Sequence, residues 1–529
     1  MVSLFNDVLG PVMRGPSSSH CAAALRIGRL ARDLMNADIA DVLVEFDRGG
    51  SLPATHDSQG SDMGLFGGLM GWEAADERLP ESMRILQETG VRIRIETVDT
   101  ADPHPNTYRL TLTPAEGSSH TLRAISTGGG MIEVIAIDEI PVSLAGDCFE
   151  TLLWPSGDPE TVRAAVAAQF DADTIVVHQA GNRSLIEVKG SAFLPDSLMD
   201  DLRASGRIQD ARRLAPVLPV LTCRTSRVLF PSCADMLAAD GNRRTPLWEL
   251  AVAYECARGG LSAAEVTERA EELVRLLRKS IADGIAGTHY ADRVLGHQSG
   301  GFREALEAGR LLDAGALNRM ILYVTALMEV KSSMGVIVAM PTAGACAALP
   351  GAIIAMAETM GLDEPAMARA LLASGLIGAF IATAWTFAAE VGGCQAEGGS
   401  AAAMAAAALV TLADGSRDQA VAAASLALQS MLGLICDPVA NRVEAPCLGK
   451  NVMAAANALS CANMAMAGYD PLIPFDEVIA AAKQVAAGMP REVRCTALGG
   501  LSITPTSLAI EKRLAERRAG CGAGGCACR

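Results

Sequence analysis

Residues 371–389 read LLASGLIGAFIATAWTFAA. No charge interrupts these 19 positions, and a helix of that length crosses a bilayer. Composition argues against that reading. Ala and Gly recur on every face, and the run ends in Glu390 followed by VGGCQAEGGS. Segments 336–357 and 401–412 nearby are Ala-rich too. Small residues all round suit close helix packing inside a soluble helical domain. No basic flanking loops set an orientation. The run therefore reads as core, and no membrane is expected.

Outward from this core, residues 226–518 read as helix after helix. The breaks fall at Gly and Pro clusters: SGG at 299–301, PTAG at 341–344, GG at 392–393 and DP at 437–438 among them. Towards the N-terminus, 148–225 has a different rhythm. FETLLWP is strand-like, PETVRAAVAAQF helical, DTIVVHQ and SLIEVKG strand-like, PDSLMDDLRASG helical, and APVLPVLT reads as a last strand. That βαββαβ order is ferredoxin-like and resembles a small-ligand regulatory (ACT-like) module. Residues 1–147 mix a helical stretch, CAAALRIGRLARDLM, with short alternating runs such as DVLVEFD, VRIRIETV and YRLTLTP. Ser17, Ser18 or Ser19 is placed to cap that helix. Residues 519–529, AGCGAGGCACR, form a thiol-rich tail. The expected fold class is α+β.

The chain has 529 residues and a net charge of −16, so phosphate backbones repel it and nucleic-acid binding is not expected. At 50% hydrophobic residues it is not disordered. The start, MVSLFNDVLGPVMRGPSSSH, has no signal-peptide pattern. A cytoplasmic location with reduced thiols is expected. Most of the fourteen cysteines read as small buried residues.

Three cysteines stand at chain breaks: Cys394 in EVGGCQAEGGS, Cys436 in CDPVANRVEAPC, and Cys447 eleven residues further on. Pro438 and Pro446 stop the flanking helices and put these thiols on turns. Three neighbouring thiolates suit a soft metal or an iron–sulfur cluster, although no CxxC pair occurs among them.

The chain resembles the iron–sulfur-dependent L-serine dehydratases (L-serine ammonia-lyases) of bacteria. The matching segments are GPSSSH at 15–20, HPNTYR at 104–109, STGGGM at 126–131, SSMGVIVAMPTAGACAALPG at 332–351, GGCQAEGGSAAAMAAAA at 392–408, CDPVANRVEAPCLGKN at 436–451 and ALGGL at 497–501. The resemblance implies a [4Fe–4S] cluster on Cys394, Cys436 and Cys447, with one iron lacking a protein thiolate. It implies elimination of water from L-serine, or a related β-hydroxy amino acid, to give a 2-oxo acid and ammonia. It implies a small amino-acid substrate and a homodimer. Ser17, Ser18, Ser19, His20, His104, Asn106, Thr107, Thr342, Ala343 and Gly344 carry over as substrate-binding positions. In some family members a C-terminal cysteine folds back on the open iron; here Cys528 would fill that role.

The pattern is broken at one place. Where the family commonly reads Gly-Lys-Gly-His-Gly-Thr-Asp, this chain has His56-Asp-Ser-Gln-Gly-Ser-Asp62. Gln59 stands where His is usual, and an amide is no base near pH 7. The base is then His20, His56 or a residue elsewhere, or the pocket serves another substrate. Competing readings are a lyase that releases sulfide from L-cysteine, a non-catalytic amino-acid or iron sensor, and a transporter.

Overall fold

The computed structural model describes residues 1–522. Cys528, the expected tail ligand, lies outside them. The fold is α+β, with twelve described strands. They are β1 (Val12–Met13), β2 (Ile39–Asp47), β3 (Arg92–Val98), β4 (Thr107–Pro114), β5 (His120–Gly128), β6 (Met131–Ile137), β7 (Ile140–Leu144), β8 (Phe149–Pro155), β9 (Thr174–Ala180), β10 (Arg183–Gly190), β11 (Ile208–Leu214) and β12 (Ile337–Val338).

One sheet has the order β3-β2-β4-β5-β6-β7. Its β2–β3 pair is parallel and the remaining pairs are antiparallel. Alternation puts Val42, Val44 and Phe46 of β2 on the same buried side as Leu110 and Leu112 of β4. The helix Ala23–Met35 covers that side with Ala24, Ile27, Ala31 and Leu34. The helix Ser61–Leu69 crosses it at very close range. A Cβ on Gly64 would sit 2.0 Å from the Cys21 carbonyl oxygen, and one on Gly68 would sit 2.1 Å from that of Leu25. Only glycine permits this crossing. It holds the GPSSSH turn against the loop that carries His56 and Gln59.

The second sheet has the order β11-β8-β10-β9 and is antiparallel throughout. Helices Pro159–Ala167 and Asp196–Ala204 cover it. This is the βαββαβ arrangement read from the sequence. Its last strand differs: β11 is Ile208–Leu214, and residues 215–222 run on without strand pairing. Pro216 and Pro219 have no N–H to give a ladder, and Val220 instead exchanges hydrogen bonds with the Asn6 side chain.

The rest is helical apart from β12, which pairs with β1. The long apolar run forms the helix Glu364–Ala384, long and apolar enough to cross a membrane by composition, yet most of it is buried within the fold. Its glycines receive the N-terminal segment: a Cβ on Gly378 would meet Val8 Cγ1 at 2.2 Å, and one on Gly375 would meet Leu9 Cδ1 at 2.9 Å. The Ala-rich helix Ser400–Leu412 packs in the same core. Small side chains let these backbones approach closely, and that brings four loops to one place: 15–20, 341–346, 393–399 and 434–447.

Candidate metal centre

Cys394 follows Gly393, whose φ of +67° would strain any other residue and whose Cβ position is blocked by the Leu434 carbonyl oxygen at 2.9 Å. Gln395 then sews this turn to the next cysteine's loop. Its N–H donates to Leu434 O at 2.9 Å, and its side-chain oxygen accepts from Gly433 N at 2.9 Å. Cys436 lies at the end of that loop. Cys447 is the first residue of the helix Cys447–Met466 rather than part of a turn, because Pro446 sits at the N-cap and starts the helix. All three are buried, and no disulfide joins the described cysteines.

The Cys394 and Cys436 sulfurs and a Glu397 carboxylate oxygen lie within 4.8 Å of one another. Cys447 is buried nearby, within electrostatic range of Cys394 and Glu397. A further cysteine, Cys495, touches Cys436. The chemistry of this donor set fits a thiolate-held iron–sulfur group. Without a cation such thiols must stay protonated. Contact with Cys394 and Cys495, then burial, raises the Cys436 thiol far above its usual range. Burial and the nearby Cys394 do the same to Cys447. Lys450 supplies local positive charge, donating to Ile435 O at 2.7 Å, to Asp437 Oδ1 at 2.8 Å and to Cys394 Sγ at 3.7 Å. Burial opposes its charge, but Cys394 and Asp437 outweigh that and hold it above the usual lysine range.

Glu397 links the cysteines to the PTAG loop. Its Oε1 accepts from Thr342 Oγ1 at 2.7 Å, and a Cβ on Gly344 would meet both carboxylate oxygens at 2.9 Å. Burial pushes the Glu397 carboxyl up to about 7, although the Thr342 hydrogen bond pulls the other way. Asn451 completes the joint. Its Nδ2 donates to Gly344 O and Cys447 O, both at 2.8 Å, and its Oδ1 accepts from Ala347 N and Ala348 N.

The N-terminal loops close over this centre. None of Ser17, Ser18 and Ser19 caps the helix Ala23–Met35; a π-turn, Ser18–Ala22, comes first, with Ala22 at the helix N-cap. Ser18 Oγ instead accepts from Ala343 N at 3.2 Å, Ser17 Oγ lies 2.9 Å from His20 Nδ1, and Ser19 is buried beside them. His20 Nε2 meets Thr55 Oγ1 at 2.8 Å, and its Nδ1 is 3.6 Å from Glu390. Burial, with nearby His56, drives the His20 imidazole down to about 3, so it stays neutral. His56 is half-buried and pairs with Asp62 at 2.8 Å. Burial works against its charge, but Asp62 raises it above the ordinary histidine range. Gln59 Nε2 donates to Asn441 Oδ1 at 3.2 Å and to Cys495 Sγ at 3.6 Å. Asn106 is buried against Glu390. Thr107 and His104, by contrast, serve their own turn: Thr107 Oγ1 donates to His104 O, and His104 Nδ1 accepts from Asn106 N.

A cavity of about 360 Å³ opens beside these loops, lined by Pro16, Gly60, Asp62, Lys331, Met334 and Arg442 among others. Lys331 is fully buried, and its Nζ has no hydrogen-bond partner among the described residues. The sequence reading missed Lys331, Glu397, Lys450, Asn451 and Cys495. Signals existed for some of them: Glu397 lies three residues after Cys394, Lys450 and Asn451 follow Cys447 within one turn, and Lys331 is a cation late in an apolar helix.

Residues 242–502 match the family model described as "Serine dehydratase alpha chain". The chain is also 32% identical over 286 residues to the "Probable L-serine dehydratase, alpha chain" of Bacillus subtilis (strain 168), covering 54% of this chain and 95% of that one. The chain belongs to the L-serine dehydratase family. The "Probable L-serine dehydratase, beta chain" of the same Bacillus strain is 31% identical over 215 residues, 40% of this chain and 96% of its own. The "L-serine dehydratase" of Streptomyces coelicolor is 29% identical over 504 residues, 92% of this chain and 96% of that one. This L-serine dehydratase family chain therefore has counterparts for both chains of a two-chain relative and for a relative made as one chain. Cys394, Glu397, Cys436, Cys447 and Cys495 all fall within the matched residues 242–502.

Proposed function

We propose that this chain is an iron–sulfur-dependent ammonia-lyase that converts L-serine to pyruvate and ammonia. The observation that carries the reading is the meeting of Cys394, Cys436 and Glu397 within 4.8 Å, with the buried, unpartnered Lys331 Nζ in electrostatic reach of Glu397. A [4Fe–4S] cluster on Cys394, Cys436 and Cys447 would supply a Lewis acid that turns the serine hydroxyl into a better leaving group.

The protein's own residues supply the rest. Lys331 Nζ has its hydrogen-bonding capacity unspent and pairs with the substrate carboxylate. Glu397, held by Thr342 next to the cysteines, takes the α-proton. His20, kept neutral between Ser17 and Thr55, fixes the serine-rich turn rather than moving a proton. Glu390, against which Asn106 is buried, is the carboxyl suited to the substrate ammonium. Loss of the α-proton and the β-hydroxyl leaves 2-aminoacrylate and water. The enamine tautomerises to the imine, and hydrolysis yields pyruvate and ammonia.

The test is pyruvate formation from L-serine by anaerobically reconstituted protein, with L-cysteine assayed in parallel. Pyruvate and ammonia from L-serine are expected. A loaded protein that releases sulfide from L-cysteine and leaves L-serine untouched overturns the substrate assignment.

A further inference from the structure

Cys495 sits in the loop between the helix Phe475–Gly488 and the 3-10 turn Gly500–Ile503. Two backbone hydrogen bonds clamp this loop to the Cys436 segment: Cys436 N donates to Val493 O at 2.9 Å, and Cys495 N donates to Cys436 O at 3.1 Å. The clamp presses the Cys495 thiol against that of Cys436. Cys495 holds a φ of +60°, a left-handed conformation that is strained for a residue with a side chain. Backbone strain of this kind persists where surrounding structure enforces it, and it concentrates at functional sites. The thiol is buried, and its other polar neighbour is the Gln59 amide, whose Nε2 donates to Sγ at 3.6 Å.

That last contact joins two departures from expectation. Gln59 stands where the family resemblance expects a histidine, and Cys495 is the cysteine that the sequence reading left out. An imidazole next to a metal-binding sulfur can compete as a ligand or a base. A primary amide has no basic nitrogen to ligate or to take a proton, and its Nε2 offers an N–H donor, the arrangement that stabilises a ligating thiolate.

We propose that Cys495 is the resting fourth thiolate of this metal centre, binding in the absence of substrate the iron left without a protein ligand by Cys394, Cys436 and Cys447 and yielding it to the serine hydroxyl, with Gln59 as its hydrogen-bond donor. The thiol gives up its proton on binding, and no redox change is involved. The inference rests on the iron–sulfur reading above, and it assigns to the folded core the role expected of a tail cysteine.

The test compares full-length proteins reconstituted anaerobically with ⁵⁷Fe: wild type, Cys495→Ala, Cys495→Gly, and a variant with Cys521, Cys526 and Cys528 changed to Ser. Glycine accepts a φ of +60°, so Cys495→Gly removes the thiol without adding strain. Each sample is oxidised mildly with ferricyanide and followed by EPR and Mössbauer spectroscopy. Wild type and the tail variant are expected to keep their full iron content and show little [3Fe–4S] signal. Both Cys495 variants are expected to lose one iron per cluster, with a severalfold larger [3Fe–4S] signal. Cys495 variants that match a cluster-loaded wild type overturn this inference alone, as does iron loss confined to the tail variant. A wild type that binds no cluster overturns both this inference and the reading on which it rests.

Discussion

The Thr342 hydroxyl donates to Glu397 Oε1 at 2.7 Å and so joins the PTAG loop to the turn that carries Cys394. The bond places the carboxyl beside the thiols and faces it towards Gly344, where no side chain fits without displacing it. A hydrogen bond to a charged group contributes about 1.5–3 kcal/mol. Thr342→Val should therefore lower kcat roughly 10- to 100-fold, and Thr342→Ser should restore most of it. Gly344→Ala should lower kcat by a similar factor. In each variant the iron content should match wild type; a parallel loss of iron would reassign Thr342 to building the metal centre.

Lys331 offers a test in which function and stability move in opposite directions. Its Nζ is buried without a partner among the described residues, and such a group costs about 1–3 kcal/mol. Lys331→Met should raise the stability of the ligand-free protein by about that amount. It should also raise KM for L-serine roughly 10- to 100-fold, since a charge-assisted contact of about 1.5–3 kcal/mol is lost. Denaturant titration and steady-state kinetics measure both. A variant that is less stable and has an unchanged KM would make Lys331 a structural residue.

The buried His20 sets an acid limit on the fold. Its folded-state value of about 3 lies below the ordinary 6.5, chiefly through burial. The unfolded chain therefore takes up a proton first as pH falls. Stability linked to His20 is fully present above about 6.5 and is lost as pH falls towards 3, on the order of 5 kcal/mol in all. Denaturant titrations from about pH 7.5 down to about 4, which covers most of that window, should show a shallower loss for His20→Asn than for wild type. Parallel profiles would contradict it.

Gly64→Ala should be poorly tolerated although Gly64 lies in a helix, where Ala is normally preferred. The added methyl would stand 2.0 Å from the Cys21 carbonyl oxygen. Forcing the two helices apart should cost about 1–3 kcal/mol or more and loosen the serine-rich turn that follows from the same crossing. A lowered Tm together with a raised KM is expected. A Tm equal to wild type would show that the helices separate freely.

What could be read in advance follows from how local each signal is. The β2 and β4 alternation and the three cysteines Cys394, Cys436 and Cys447 lie in short contiguous stretches, so period and motif expose them. Residues 215–222 were misread as a strand because the apolar run outweighed Pro216 and Pro219, which cannot join a ladder. Serines 17–19 looked like caps, but the helix starts later and their hydroxyls reach His20 and Ala343 instead. Cys495 was hidden for a different reason. Backbone pairing across 59 residues of chain brings its thiol to Cys436, and no spacing rule reports that. Glu397 lay in view inside GGCQAEGGS, but its role depends on Thr342, 55 residues earlier.

In the proposed function, serine elimination depends on an iron–sulfur centre held by the buried cysteines. The direct measurement is the rate of pyruvate formation from L-serine, taken against bound iron and acid-labile sulfide as the apoprotein is reconstituted under argon. The rate should rise in proportion to loading, level off at one [4Fe–4S] equivalent per chain, and disappear on exposure to air as the cluster absorbance bleaches. Pyruvate formation at full rate by iron-free protein would contradict that dependence.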